Sequence, residues 1–151
     1  MRIIETLAEL PPLVGQELAV SDWVSVTQQQ IDLFAQATGD HQWIHVDPER
    51  AKDGPFGTTI AHGFLTLSLM PRLVESALQI RQQRMSVNYG VNRVRFPSPV
   101  PVGSRLRARV KLLACEPLAD DGLQIVWHVT MEREGSDKPV CVAESVTRRY
   151  G

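Results

Sequence analysis

The chain has 151 residues, 43% hydrophobic and 22% charged, with ten glycines and ten prolines, which is the balance of one folded globular domain and excludes a disordered, collagenous or coiled-coil chain. Sixteen basic against seventeen acidic residues leave a net charge of -1, so the totals carry no electrostatic footprint for nucleic acid or an anionic membrane. The two cysteines, Cys115 and Cys141, have neither the density of a disulfide scaffold nor the spacing of a zinc set, which favours a reducing compartment.

The first fifteen residues carry Glu5 and Glu9 where a secretory leader needs an apolar core, and no apolar run is long enough to span a bilayer, so an untargeted cytoplasmic chain is expected. A strand is expected around Glu17 to Val26. Thr27 and Gln30 form a capping box ahead of Ile31, Phe34 and Ala35 at helical spacing, and Gly39 is placed to end that helix just before Asp40. Asp47 and Pro48 read as the cap and first residue of a short turn through Ala51, before Asp53-Gly54-Pro55 and Gly57 break the chain again.

From Gly63 to Ile80 the period is helical. Its first half, with Phe64, Leu65, Leu67, Leu69 and Met70, is apolar on nearly every side and predicts an enclosed helix. Pro71 predicts a kink or a local break, and Arg72, Glu75 and Gln79 then turn a polar face to solvent. Beyond it the period changes to two. Leu106, Ala108, Val110 and Leu112 alternate with basic residues, and Leu123, Ile125, Trp127, Val129 and Met131 alternate with polar ones after an Asp120-Asp121-Gly122 turn. Val87, Tyr89 and Val91 sit on odd positions but Val94 and Phe96 on even ones, a phase slip that predicts a bulge near Asn92. Val140 to Arg149 completes four antiparallel strands. The class is α+β, a single domain over residues 1–151, and the economical arrangement is a curved antiparallel sheet wrapped around the long helix, the hot-dog arrangement.

The chemistry concentrates in Thr38-Gly39-Asp40-His41-Gln42-Trp43-Ile44-His45. A carboxylate at a helix end and an imidazole five residues on, across a tight turn, can be aimed into one cavity as an acid/base pair. Taken singly, Asp40 also reads as a loop-capping carboxylate and His45 as a half-buried, satisfied imidazole. The second element is Ile60-Ala61-His62-Gly63-Phe64-Leu65. Gly63 opens the apolar helix, where unbonded backbone N–H groups make an oxyanion site, although a glycine there also serves plain helix packing. His41, His45 and His62 raise the question of a metal, but the zinc-protease pattern needs Glu at position 42, where this chain has Gln42, so no metal is expected. No glycine-rich dinucleotide fingerprint or P-loop is present. Arg105, Arg107, Arg109 and Lys111 share one strand face, either as a solvated stripe or, with Arg93 and Arg95, as a surface for coenzyme A phosphates. His128 lies on the polar face of its strand.

Gly39, Asp40, Ile44, His45 and Ala51 resemble the hydratase signature of the MaoC-like family of R-specific enoyl-CoA hydratases. Gln42 and Trp43 stand where that signature has Asn and Pro. With Asn88-Tyr89-Gly90, Val94-Arg95-Phe96 and Pro101-Val102-Gly103 the chain also looks like the nodulation-protein-N branch, and the resemblance extends over nearly its whole length. It implies a hot-dog fold, a homodimer, and reversible addition of water to a trans-2-enoyl-CoA to give the (R)-3-hydroxyacyl-CoA. On that resemblance Asp40 and His45 are catalytic, the Gly63 amide binds the thioester carbonyl, and Ser68 matches a serine some members place near the pair, where a small packing residue would serve as well. No cofactor is implied, since coenzyme A is part of the acyl-CoA substrate. Two other functions fit the same fold. A hot-dog thioesterase would need a helix carboxylate where this chain has Phe64, Leu65 and Thr66, and a non-catalytic acyl-CoA-binding module would keep the fold alone.

Overall fold

A computed structural model describes residues 1–151. Five strands in the order β2(Glu17–Val20)–β6(Arg105–Leu118)–β7(Gly122–Arg133)–β8(Cys141–Tyr150)–β5(Met85–Arg95) form an antiparallel sheet, and a sixth, β3(Val24–Ser25), also pairs with β6. The period-two pattern dictates this sheet. Leu106, Ala108, Val110 and Leu112 are fully buried on the inner face of β6, and Ile125, Trp127, Val129 and Met131 stand beside them on β7. The β6–β7 turn places Asp120 and Asp121 at φ 58° and 57°, the left-handed conformation a tight hairpin demands and short polar side chains tolerate. The bulge near Asn92 is present as a register shift between Asn92 and Arg95, with Arg93 at φ 52°, and a second shift falls between Asn88 and Gly90.

The helix α1(Gln28–Thr38) starts at Thr27, whose hydroxyl accepts from the Gln30 N–H, and stops at Gly39, which takes φ 82°. One-turn helices α2(Trp43–Val46) and α3(Pro48–Lys52) follow, α3 capped by the Asp47 carboxylate. Beyond them the interruption expected near Pro71 is present, and the helical stretch ends sooner than expected. The long helix is two pieces, α4(Gly63–Ser68) and α5(Met70–Ala77), joined at Leu69. Pro71 is the second residue of α5, in the first turn, where no N–H donor is needed. Residues 78–80 are not helical but begin β4(Leu78–Gln82), because Leu78 and Ile80 pair in parallel with β1(Arg2–Thr6) and bury with Ile4.

The second half turns Arg72, Glu75 and Gln79 to solvent as expected, but the first half is not enclosed on every side: Leu65 and Thr66 are buried, while Phe64 and Ser68 are exposed. Met70, Leu73, Val74 and Ala77 of α5 pack into the core, whereas Phe64 of α4 is 68% exposed. The early strand is likewise split after Val20: the Ser21 main-chain N–H still donates to Ala108 O, but its hydroxyl accepts from the Ala108 N–H. One cluster of 25 buried residues, from Ile4 to Ala143, joins α5 to the sheet, and α4 carries its first residue out to the rim.

Candidate active site

The site is assembled by three segments that meet at the start of α4. Gly39 turns the chain out of α1 and leaves Asp40 exposed in the loop, where its carboxylate accepts from the Gln42 N–H at 3.4 Å. Gln42 then caps α2, and Trp43 packs its ring against Gly54 under the Arg50 guanidinium, 4.3 Å from the ring centre. Trp43, in place of the usual Pro, therefore has a structural use, pinning the 50–54 turn that follows.

The helical turn of α2 buries His45 to 6% exposure. Its Nδ1 lies 2.7 Å from the Ile60 carbonyl oxygen. A carbonyl can only accept, so Nδ1 carries the proton and Nε2 keeps its lone pair. Burial pushes the His45 pKa down from 6.5; the Ile60 bond opposes this, neighbouring His62 adds to it, and Asp40 opposes it. The imidazole is thus neutral at pH 7, with Nε2 available as a base.

Gln28 was not singled out by its sequence, yet its amide donates to the His45 carbonyl at 2.8 Å and accepts from the Thr59 hydroxyl. Only the fold brings the first residue of α1 to both. The Thr59–Ala61 segment is in turn stitched to the Val100–Val102 segment by main-chain bonds.

Gly63 follows directly. Thr66 is the first amide of α4 to bond back, to His62 O at 3.1 Å, so the amides of Gly63, Phe64 and Leu65 have no main-chain acceptor. A cavity of about 340 Å³ opens in front, lined by His45, Gly63 and Thr66 and by the apolar Phe56, Ile60 and Phe96 among others. Its size and lining suit one small organic group held by few polar contacts. A Cβ on Gly63 would stand 2.9 Å from Cδ2 of Phe96, so the glycine is demanded by this ring as well as by any carbonyl that approaches the amide.

His45 and Gly63 therefore share this cavity, and Asp40 lies close to His45 without lining it. Ser68 stands apart: it faces a different groove, with Leu67, Asn88 and Tyr89, and its hydroxyl donates to Phe64 O at 2.7 Å. His41 is exposed and stands outside the cluster, in which His62 takes a place instead. Asp40, His45 and His62 each offer one ligand atom within 4.8 Å of the others. The two imidazoles are stacked at 3.9 Å with 25° between planes, so their in-plane lone pairs do not converge on a point about 2 Å from both, as zinc requires. The basic stripe on β6 is mostly neutralised, with Arg105 paired to Glu134, Arg107 to Glu132, and Arg109 to Glu132 and Glu17. That leaves Lys111 on β6 and Arg93 and Arg95 on β5 as the cations of the set without a carboxylate partner.

This sheet, helix and loop-borne carboxylate–imidazole pair define a chain that belongs to the MaoC-like domain family, whose description matches residues 9–134. It is 55% identical over 148 residues, 98% of both chains, to 3-hydroxyacyl-thioester dehydratase Z of Mycobacterium tuberculosis. It is 50% identical over 144 residues, 94% of this chain and 89% of the relative, to nodulation protein N of Rhizobium leguminosarum bv. viciae. Among solved structures it superposes on a MaoC-like dehydratase from Rhodospirillum rubrum with a TM-score of 0.77 at 24% identity, covering 96% of both chains. An (R)-hydratase from A. caviae superposes with a TM-score of 0.68 at 24% identity, over 89% of this chain and 94% of that one. At such identities the likeness establishes the hot-dog fold. No helix is long and apolar enough to cross a membrane.

Proposed function

We propose that the protein is an R-specific enoyl-CoA hydratase, a hydro-lyase that adds water reversibly to a trans-2-enoyl-CoA to give the (R)-3-hydroxyacyl-CoA. The observation that carries this reading is the unprotonated Nε2 of His45, set beside the Asp40 carboxylate and at a cavity that also exposes the Gly63 amide. The dehydratase name of the relative at 55% identity supports it.

The Gly63 N–H donates to the thioester carbonyl oxygen, which draws electron density from C3 and stabilises the enolate that forms. Asp40 and His45 hold the water over C3. As its oxygen bonds to C3, its proton passes to Nε2 and the C2–C3 π pair moves toward the carbonyl; the imidazolium then gives a proton to C2. Dehydration runs the same steps backward. The residues supply all of this chemistry without a cofactor. With crotonyl-CoA, hydration consumes the enoyl absorbance and leaves the thioester intact. Release of free thiol would make the protein a thioesterase, and neither change would leave an acyl-CoA-binding module.

Because the His45 pKa is pushed below 6.5, kcat/KM is expected to be flat through neutral pH and to fall on the acid side, with its midpoint below 6.5. The sign follows from the base: protonating Nε2 abolishes it. The same depression makes the unfolded chain the better proton binder, so this group's contribution to stability is full above 6.5 and is lost as pH falls through the folded value. A pH–rate profile with matched thermal midpoints checks both.

The protein is expected to act in the cytoplasm as a homodimer. β5 is an eleven-residue edge strand with β8 as its one neighbour, and Met85, Val87, Tyr89 and Val91 on it are exposed. A long apolar edge left open invites another strand, and a second copy supplies the same edge about a twofold axis. Sedimentation should give about twice the 16.9 kDa chain mass. A 16.9 kDa species alone at micromolar concentration would exclude the dimer.

A further inference from the structure

His62 is only 2% exposed, and it touches each of the three parts of the site. Its Nε2 lies 3.0 Å from the Asp40 carbonyl oxygen and so donates to it. Its ring stacks on that of His45 with centroids 3.9 Å apart, and its other side meets Phe34 at 4.9 Å. Its main chain caps α4, immediately before Gly63. Its Nδ1 is buried with no partner, a cost that packing alone does not explain, since an apolar ring would fill the same space without it.

We propose that His62 is the positioning residue of this site, one imidazole that sets the main chain at Asp40, the plane of the His45 ring and the start of α4 together. The inference rests on the hydratase reading for its catalytic consequence but not for its geometry. Asp40 lies on the loop after α1 and His45 on the one-turn helix α2, and Gly63 lies eighteen residues beyond His45. Without a tie between them, the carboxylate, the base and the carbonyl-binding amide are free to shift relative to one another, and misplacement by a fraction of an ångström is costly to a positioned reaction.

His62 also acts on His45 electrostatically. The titratable groups facing the two rings are Asp40 and the rings themselves. The other neighbours, Phe34 and Gln28 of α1 and the Ile60 carbonyl, do not titrate, and Asp32 reaches the site only through its bond to Gln28. Asp40 favours the His45 imidazolium while His62 opposes it. Taking His62 away therefore leaves a base that protonates more readily.

The test compares His62→Phe, which keeps a stacked ring and deletes the donor, with His62→Gln, which keeps an amide donor for Asp40 O and deletes the ring. His62→Phe is expected to lower kcat for crotonyl-CoA by about thirtyfold, within the range of a misplaced acid/base group, with KM changed less than about twofold. His62→Gln should regain a substantial part of that loss. In both, the His45 titration followed by imidazole NMR should move upward, and the acid limb of the rate profile with it. The NMR titration needs no turnover, so a wild-type chain inactive on crotonyl-CoA would remove the hydratase reading and still leave His62 judged. Folded variants with wild-type kcat and an unmoved His45 titration would overturn the proposal, as would a fall in the thermal midpoint that alone accounts for the lost activity.

Discussion

Asp40→Asn and His45→Gln are each expected to lower the hydration rate of crotonyl-CoA by about a hundredfold or more, the usual consequence of losing a positioned acid/base group. Water is a poor nucleophile and C3 only a modest electrophile, so the step requires a proton acceptor on the attacking oxygen as the C–O bond forms. His45 can accept because its Nδ1 proton is committed to Ile60 O and Nε2 is bare. Gln at this position has an amide of similar length but no base. Asp40 holds the water's second hydrogen and offsets the charge that appears on the imidazole; Asn keeps the shape of the loop, including an oxygen for the Gln42 N–H, and removes the charge.

Because the two residues act on the same water, the double variant should lose little more than the worse single one. Substrate affinity, set largely by the apolar cavity and the coenzyme A contacts, should survive. Equal thermal midpoints for wild type and variants would show that the losses are chemical. Folded single variants that hydrate at the wild-type rate, or a wild-type product of S configuration, would refute the assignment.

The second large effect is expected at Gly63. Gly63→Val should cost a hundredfold or more in kcat, about the size of losing one oxyanion donor. The structure adds a competing cause, since even a single Cβ would stand 2.9 Å from the Phe96 ring. The two causes separate when Gly63→Ala is made both in the wild type and in a Phe96→Leu background. If the methyl blocks the carbonyl from the amide, the loss caused by Gly63→Ala is the same in both backgrounds. If the loss comes from a displaced ring, the leucine, with fewer atoms at that contact, restores most of the rate. We expect the first outcome. Gly63→Ala at full rate in both would show that the amide does not bind the carbonyl.

Much of this could be read from local pattern, because the physics there is local. A capping box and a glycine in the left-handed conformation bound α1 within a few residues, and period-two alternation is a property of each strand by itself, so β6, β7, their hairpin and the β5 bulge were all visible in the chain. The Asp40–His45 spacing was visible too, since both residues fall within one short stretch of chain, and the family resemblance gave that spacing its chemical meaning.

What the tertiary structure decided involves partners distant in sequence. Apolarity alone cannot say which sides of a hydrophobic helix are enclosed; Leu65 and Thr66 of α4 and one face of α5 are buried, while Phe64 faces outward beside Phe96. Residues 78–80 read as helix until their strand partner, seventy-six positions earlier at Arg2 to Ile4, is in place. The basic stripe of β6 looked available until β7 and β2 supplied Glu132, Glu134 and Glu17. Gln28 and His62 carry no motif of their own; they belong to the site because hydrogen bonds across 17 and 22 residues of sequence bring them to His45 and Asp40. Local propensity determines what each segment can be, and only the closing of long loops, at an entropic cost repaid by burial, decides which side chains share a site.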